Sequence, residues 1–310
     1  MSNSIFKAAL ALALIAPSAS FAQDASGGSQ VGTSRVSGAA TRSREDAGTS
    51  RTNLSTTAKA STRNLKFQFL NQAYAYQRDI SEGERPVASN YTYVGATYKF
   101  APSNYLALRV PFSYYVPKFE GESRFEMEDV YLNYWRADLA TIPWKETSVS
   151  AALRLYFPTG EDSRFLDKRN GAARLTLMTS TEFAKRWSLD YLAYAQLNNH
   201  TQETYRLDDR TWANIDRTFV QGPTVSYDLN DKWSFSQLVG TTSNFAETGD
   251  RYGDNENFLN LVSSVFFQIT PSLSSSLAFH NDVEIGDDLR PFRLGMNEDI
   301  TYIFSIAATL

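Results

Sequence analysis

From Arg63 to Leu310 large apolar side chains alternate with small or polar ones in runs of roughly ten residues. The last run displays the pattern in full. Ile300, Tyr302, Phe304, Ile306, Ala308 and Leu310 share one face, while Thr301, Ser305, Ala307 and Thr309 share the other with Ile303. Period two is the geometry of a β-strand between two different solvents, because successive side chains point to opposite sides of the pleat. In Tyr105–Val116 the same split sets Leu106, Leu108, Val110, Phe112, Tyr114 and Val116 against Tyr105, Ala107, Arg109, Pro111, Ser113 and Tyr115. Proline cannot donate to a ladder, so Pro111 predicts a bulge at its level.

Such runs predict twelve strands, near 64–77, 90–100, 105–116, 127–137, 148–157, 171–184, 187–198, 217–229, 233–242, 256–269, 272–284 and 299–310. Ala101–Asn104, Lys185–Arg186, Asn230–Lys232 and Thr270–Pro271 read as tight turns, and 138–147, with Pro143 and Trp144, as a longer link. The other connections, near 78–89, 117–126, 158–170, 199–216, 243–255 and 285–298, are long and charged. Short turns on one rim, long loops on the other and an even strand count predict an all-β fold. It is a transmembrane antiparallel up-and-down β-barrel of about 12 strands. Closure is required in lipid, where each unpaired edge group costs several kcal/mol. A soluble sandwich or lipocalin-like barrel would carry charge at its outward positions, yet Leu106, Leu108, Leu153, Leu155, Leu175, Leu177 and Leu261 stand there.

Composition fits this picture. Tyr 17, Phe 20 and Trp 5 make 14% of the chain, and Tyr91, Tyr93, Tyr114, Tyr115, Tyr134, Trp135, Trp187, Trp233 and Phe235 gather near strand ends, where interfacial girdles need amphipathic rings. The absence of cysteine excludes a disulfide scaffold, a Cys-ligated metal and a lipoprotein anchor. A net charge of −4 offers no basic surplus for nucleic acid.

Ahead of the barrel, Met1–Ala22 reads as a secretory signal: Lys7, the apolar run Ala8–Ala16, then the small-x-small site Ser20-Phe21-Ala22. Residues 23–62 are rich in Ala, Ser, Gly and Thr and predict a flexible periplasmic leader, with the barrel proper over 63–310. The expected location is a Gram-negative-type outer membrane, with both termini periplasmic.

Two stretches carry a resemblance. Tyr302–Leu310 resembles the terminal strand that outer-membrane barrels present to their assembly machinery, although it closes on Leu310 rather than an aromatic residue. Leu155-Tyr156-Phe157-Pro158-Thr159-Gly160, with Glu128-Asp129-Val130-Tyr131-Leu132 one hairpin earlier, resembles the meta-pathway phenol-degradation outer-membrane transporters. That resemblance implies a barrel admitting small organic compounds.

If the apolar face is outward, Arg109, Asp129, Tyr131, Asn133, Arg154, Tyr156, Arg174, Glu182, Asp190, Tyr194 and Gln196 line the lumen. Arg154 and Arg174 flank the 158–170 loop symmetrically, so a regular hairpin sets them opposite each other. Two positive charges ~5.5 Å apart repel by roughly 3 kcal/mol at an effective dielectric of about 20. Wet exposure, inward acids such as Asp129 or Glu182, or an anionic ligand would offset that repulsion. The pattern suits a positive wall that attracts anionic or polar solutes, and equally a ladder of internal salt bridges that plugs the barrel. Twelve strands fall between barrels filled by side chains and open porins, so a narrow or partly occluded path is expected.

The long loops hold 19 acidic and 12 basic residues, which suits a hydrated, cation-bridged lipopolysaccharide surface. Asp250, Asp254 and Glu256 supply oxygens for calcium but lack a defined calcium loop, so no metal site is assigned. The chain has two histidines. Ser276 and His280 on one strand lie roughly 13 Å apart, too far for proton transfer. No catalytic residue and no cofactor is assigned. The expected function is a monomeric or weakly oligomeric channel for passive passage of small polar, anionic or organic solutes. A surface-structural or adhesive barrel is the alternative, with a barrel hydrolase third.

Overall fold

The computed structural model describes residues 64–76, 89–115, 124–142, 147–207, 210–246, 256–284 and 300–310. The expectations for residues 1–62, and for most of four of the six long loops, lie outside these. Among the described residues the chain forms β1 (Leu65–Tyr76), β2 (Ser89–Ala101), β3 (Asn104–Tyr115), β4 (Arg124–Met127), β5 (Tyr131–Ile142), β6 (Thr147–Tyr156), β7 (Arg169–Ala184) and β8 (Trp187–His200). Then come β9 (Thr204–Leu207), β10 (Arg210–Ala213), β11 (Ile215–Asp228), β12 (Trp233–Ala246), β13 (Glu256–Thr270), β14 (Leu273–Glu284) and β15 (Ile300–Thr309).

The strands close on themselves. Order runs β2-β1-β15-β14-β13-β12-β11-β8-β7-β6-β5-β3-β4, and β2 also pairs with β3. β4 and β5 are two pieces of one barrel strand: β3 pairs with β4 at Phe112–Tyr115 and with β5 at Asn104–Arg109. Counted so, the barrel has 12 antiparallel strands. The interruption falls opposite Pro111, where three residues, Glu128–Val130, face two of β3. The extra residue is accommodated on the partner strand, and Glu128 N–H donates to the Pro111 carbonyl at 3.1 Å. β9 and β10 form a separate small hairpin in the link between β8 and β11.

The two ends of the chain make the seam. β1 pairs with β15 from Gln68↔Thr309 to Tyr76↔Thr301, and Phe67 and Leu310 exchange backbone bonds of 3.0 and 2.9 Å. Elsewhere, Pro223 interrupts the β11–β12 ladder, and a Cβ on Gly222 would stand 2.5 Å from the Gly240 Cα, so the two strands approach closely there.

Alternation decides what each face meets. Along β7, Ala172, Arg174, Thr176 and Met178 are buried, while Leu175 and Leu177 are 40% and 47% exposed. Phe67, Leu108, Phe279 and Phe304 are likewise exposed on the outside. An outer surface of large bare apolar side chains is the surface lipid solvates. Aromatic pairs mark the short-turn rim, with Trp187 on Tyr227 at 4.7 Å and Trp233 on Phe267 at 4.4 Å between ring centroids.

Candidate functional site

Register brings the inner polar residues into one row. Asn133 pairs with Arg154, Arg154 with Arg174, and Arg174 with Gln196. The two arginines are 5% and 2% exposed. Their mutual repulsion is met by tyrosine rings. Arg154 lies 4.5 Å from the Tyr131 ring centroid and 5.7 Å from that of Tyr156; Arg174 lies 5.6 Å from Tyr156 and 4.2 Å from Tyr194. Tyr156 therefore has a guanidinium near its ring on both counts, within an array of Tyr131, Arg154, Tyr156, Arg174 and Tyr194. Each contact of this kind stabilises by about 0.5–2 kcal/mol, more as it is desolvated.

Hydrogen bonds fix the array. Arg154 Nη1 donates to the Tyr156 hydroxyl at 3.1 Å, and Arg174 Nε donates to Gln196 Oε1 at 2.9 Å. Gln196 in turn donates to Asn198, whose amide donates to the Ile215 carbonyl. On the neighbouring wall, Arg109 lies 5.0 Å from the Tyr93 ring, above Gly95. A Cβ at Gly95 would stand 2.7 Å from Arg109 Cδ, so the glycine leaves the arginine its place.

The Pro158-Thr159-Gly160 turn docks onto the break between β4 and β5. Val130 N–H donates to Thr159 Oγ1 at 2.8 Å, and the same hydroxyl donates to the Glu128 carbonyl at 2.9 Å. Gly160 N–H donates to Asp129 Oδ1 at 3.1 Å. Asp129 also faces Arg169 at 3.5 Å, and Arg169 reaches Asp167 at 3.2 Å. A five-residue π-helical turn, Asp162–Leu166, follows. The two motifs singled out in the sequence are thus in direct contact.

Other anticipated positions fall apart from this array. Asp190 accepts from the Ser180 hydroxyl at 2.5 Å, and Glu182 is exposed at the short-turn end of β7, beside a bulge. Sequence reasoning missed a buried chain on β12–β14. Thr242 donates to Asn260 at 2.7 Å, Asn260 donates to Asp282 at 2.6 Å, and His280 Nε2 lies 2.7 Å from the same carboxylate oxygen. Inward parity at these positions was the available signal. His280 stands opposite Thr301, and no serine is hydrogen-bonded to it among the described residues. His200 sits with its ring nitrogens 3.0 and 3.2 Å from the Asp167 and Ile215 carbonyls, a structural placement.

Beside the arginines runs an apolar cluster. It contains Tyr74, Tyr91, Met178, Leu192, Tyr194, Val220, Leu238, Val262, Ala278 and Ile303, with Tyr93 and Trp135 packed on it.

Among solved structures, the chain is similar to an outer membrane channel from Pseudomonas putida F1, with TM-score 0.55 and 11% identity over 81% of this chain and 97% of that one. The shared fold is the closed antiparallel β-barrel. The NanC porin (TM-score 0.47, 9% identity, covering 78% and 98%) and the KdgM porin (0.45, 6%, 78% and 98%) are also similar. At such identities the likeness concerns the fold alone. No family model matches the sequence, and no curated protein matches it.

Proposed function

We propose that this chain is an outer-membrane channel for passive passage of small solutes, and that its lumen favours anions. One observation carries the reading: two buried arginines, Arg154 and Arg174, held in register on the inner wall with tyrosine rings beside them. Stacking occupies the faces of a guanidinium, whereas carboxylates, sulfonates and phosphates are recognised along its N–H edge. Tyr131, Tyr156 and Arg109 belong to this lining. Asp129 acts with Arg169 as a brace at the long-loop rim, and Asp190 and Glu182 mark the exit toward the short turns. The same reading includes export by Met1–Ala22, periplasmic termini, recognition of Tyr302–Leu310 by the assembly machinery and lipopolysaccharide around the long loops.

The test is the zero-current potential of the full-length barrel in a planar bilayer under a potassium chloride gradient. The expected sign is that of anion preference, moving toward zero in the Arg154→Gln, Arg174→Gln double variant. Cation preference, or a potential that ignores both substitutions, overturns the proposal.

A further inference from the structure

Two chemistries meet on the inner wall. Arg109, Arg154 and Arg174, with their tyrosines, occupy β2, β3, β5, β6, β7 and β8. The apolar cluster draws on ten of the twelve barrel strands, and β3 and β6, which it skips, are the strands that carry Arg109 and Arg154. Ile303 is 0% exposed and Ala278 1%, so this part of the wall is covered against water. The two regions are continuous: Tyr194 belongs to both, and Tyr93, the ring against Arg109, packs on the cluster.

We infer that the lumen selects organic anions with an apolar body, such as alkyl carboxylates and sulfonates, over small inorganic anions. This deepens the channel reading above and rests on it. A hydrated chloride ion at the level of the apolar cluster meets side chains that replace little of its hydration shell. A solute with an alkyl body keeps its charged head on the guanidinium edge while its chain packs into the apolar cluster beside it. Each methylene so buried favours the bound state by roughly fourfold.

Bi-ionic reversal potentials across a planar bilayer holding the full-length protein decide the matter. Hexanesulfonate, methanesulfonate and chloride are suitable probes, because sulfonates stay charged and do not cross lipid as neutral acids. Hexanesulfonate is expected to be at least about threefold more permeant than methanesulfonate despite its bulk, since even one fully buried methylene suffices for that margin. Permeability that simply falls with size overturns the inference, as does a wild-type barrel silent to every anion. Wetting the belt with Met178→Gln and Leu192→Asn is expected to abolish the chain-length order and raise chloride current. Val262→Thr, a near-isostere, provides a milder second variant, and the wild-type series needs none. Failure of the channel reading looks different. In that case cations are preferred whatever the order among sulfonates, whereas anion preference without a chain-length order leaves the channel reading standing.

Discussion

Replacing Tyr156 exposes how a buried like-charge pair is held. The distances of 5.7 and 5.6 Å from the ring place the two guanidinium carbons no more than about 11 Å apart. At that limit they repel by about 1.5 kcal/mol at an effective dielectric of about 20. Two cation–π contacts at about 1–2 kcal/mol each offset this repulsion. Tyr156→Ala removes both contacts and leaves a cavity at a site that is 6% exposed, so a loss of about 4 kcal/mol is expected, within the range for deleting a buried ring. Tyr156→Phe keeps the ring and removes the acceptor of the Arg154 bond, for about 1.5 kcal/mol. The sharper outcome is a coupling. Arg174→Gln should cost about 1–2 kcal/mol in the native barrel, where it gives up two ring contacts and the bond to Gln196. In the Tyr156→Ala background the same change should be neutral or stabilising, because one of its ring contacts is already gone while a repulsion of about 1.5 kcal/mol or more is still relieved. Equilibrium unfolding of the lipid-refolded barrel, followed by tryptophan fluorescence, measures all four corners of the cycle. Equal costs for Arg174→Gln in both backgrounds refute the shielding argument.

Three further perturbations test other parts. Leu177→Arg puts a charge on a lipid-facing position that is 47% exposed, and about 3 kcal/mol of bilayer stability should be lost in the same unfolding assay; a loss below about 0.5 kcal/mol is the value for an ordinary water-facing site. Gly160→Val brings a Cβ to 3.1 Å from both Asp129 Oδ1 and the Met127 carbonyl, and should destabilise by about 2 kcal/mol and speed proteolysis at the long-loop rim. Arg169→Met removes a cation 3.5 Å from the Asp129 carboxylate, which is 3% exposed; the expected cost is about 3 kcal/mol, largely recovered by adding Asp129→Asn.

Much of this is legible in the amino-acid sequence. Period-two alternation located all twelve barrel strands, and hairpin symmetry about the 158–170 loop set Arg154 opposite Arg174. Pro111 signalled a bulge because a missing N–H is visible in sequence; that the extra residue sits on the partner strand, at Glu128–Val130, is a property of pairing. What offsets the arginine repulsion was not legible. Sequence reasoning looked to water, acids or a ligand, while the tyrosine rings beside both groups depend on rotamers that spacing does not encode. The Thr242–Asn260–Asp282–His280 chain escaped for a similar reason, since it runs across three strands whose register depends on a long connection and a bulged turn. Thr159 bridging Val130 and Glu128 gives the Pro-Thr-Gly turn a physical role that the motif alone did not supply.

The account depends on which face of the sheet meets lipid, and the absence of native cysteine makes that directly measurable. Single cysteines at each position from Ala173 to Thr179 on β7, spin-labelled in the refolded barrel in bilayers, report oxygen accessibility residue by residue. Maxima at Ala173, Leu175, Leu177 and Thr179 with minima at Arg174, Thr176 and Met178 are the predicted result. A flat profile, or maxima at the arginine-bearing positions, would contradict it.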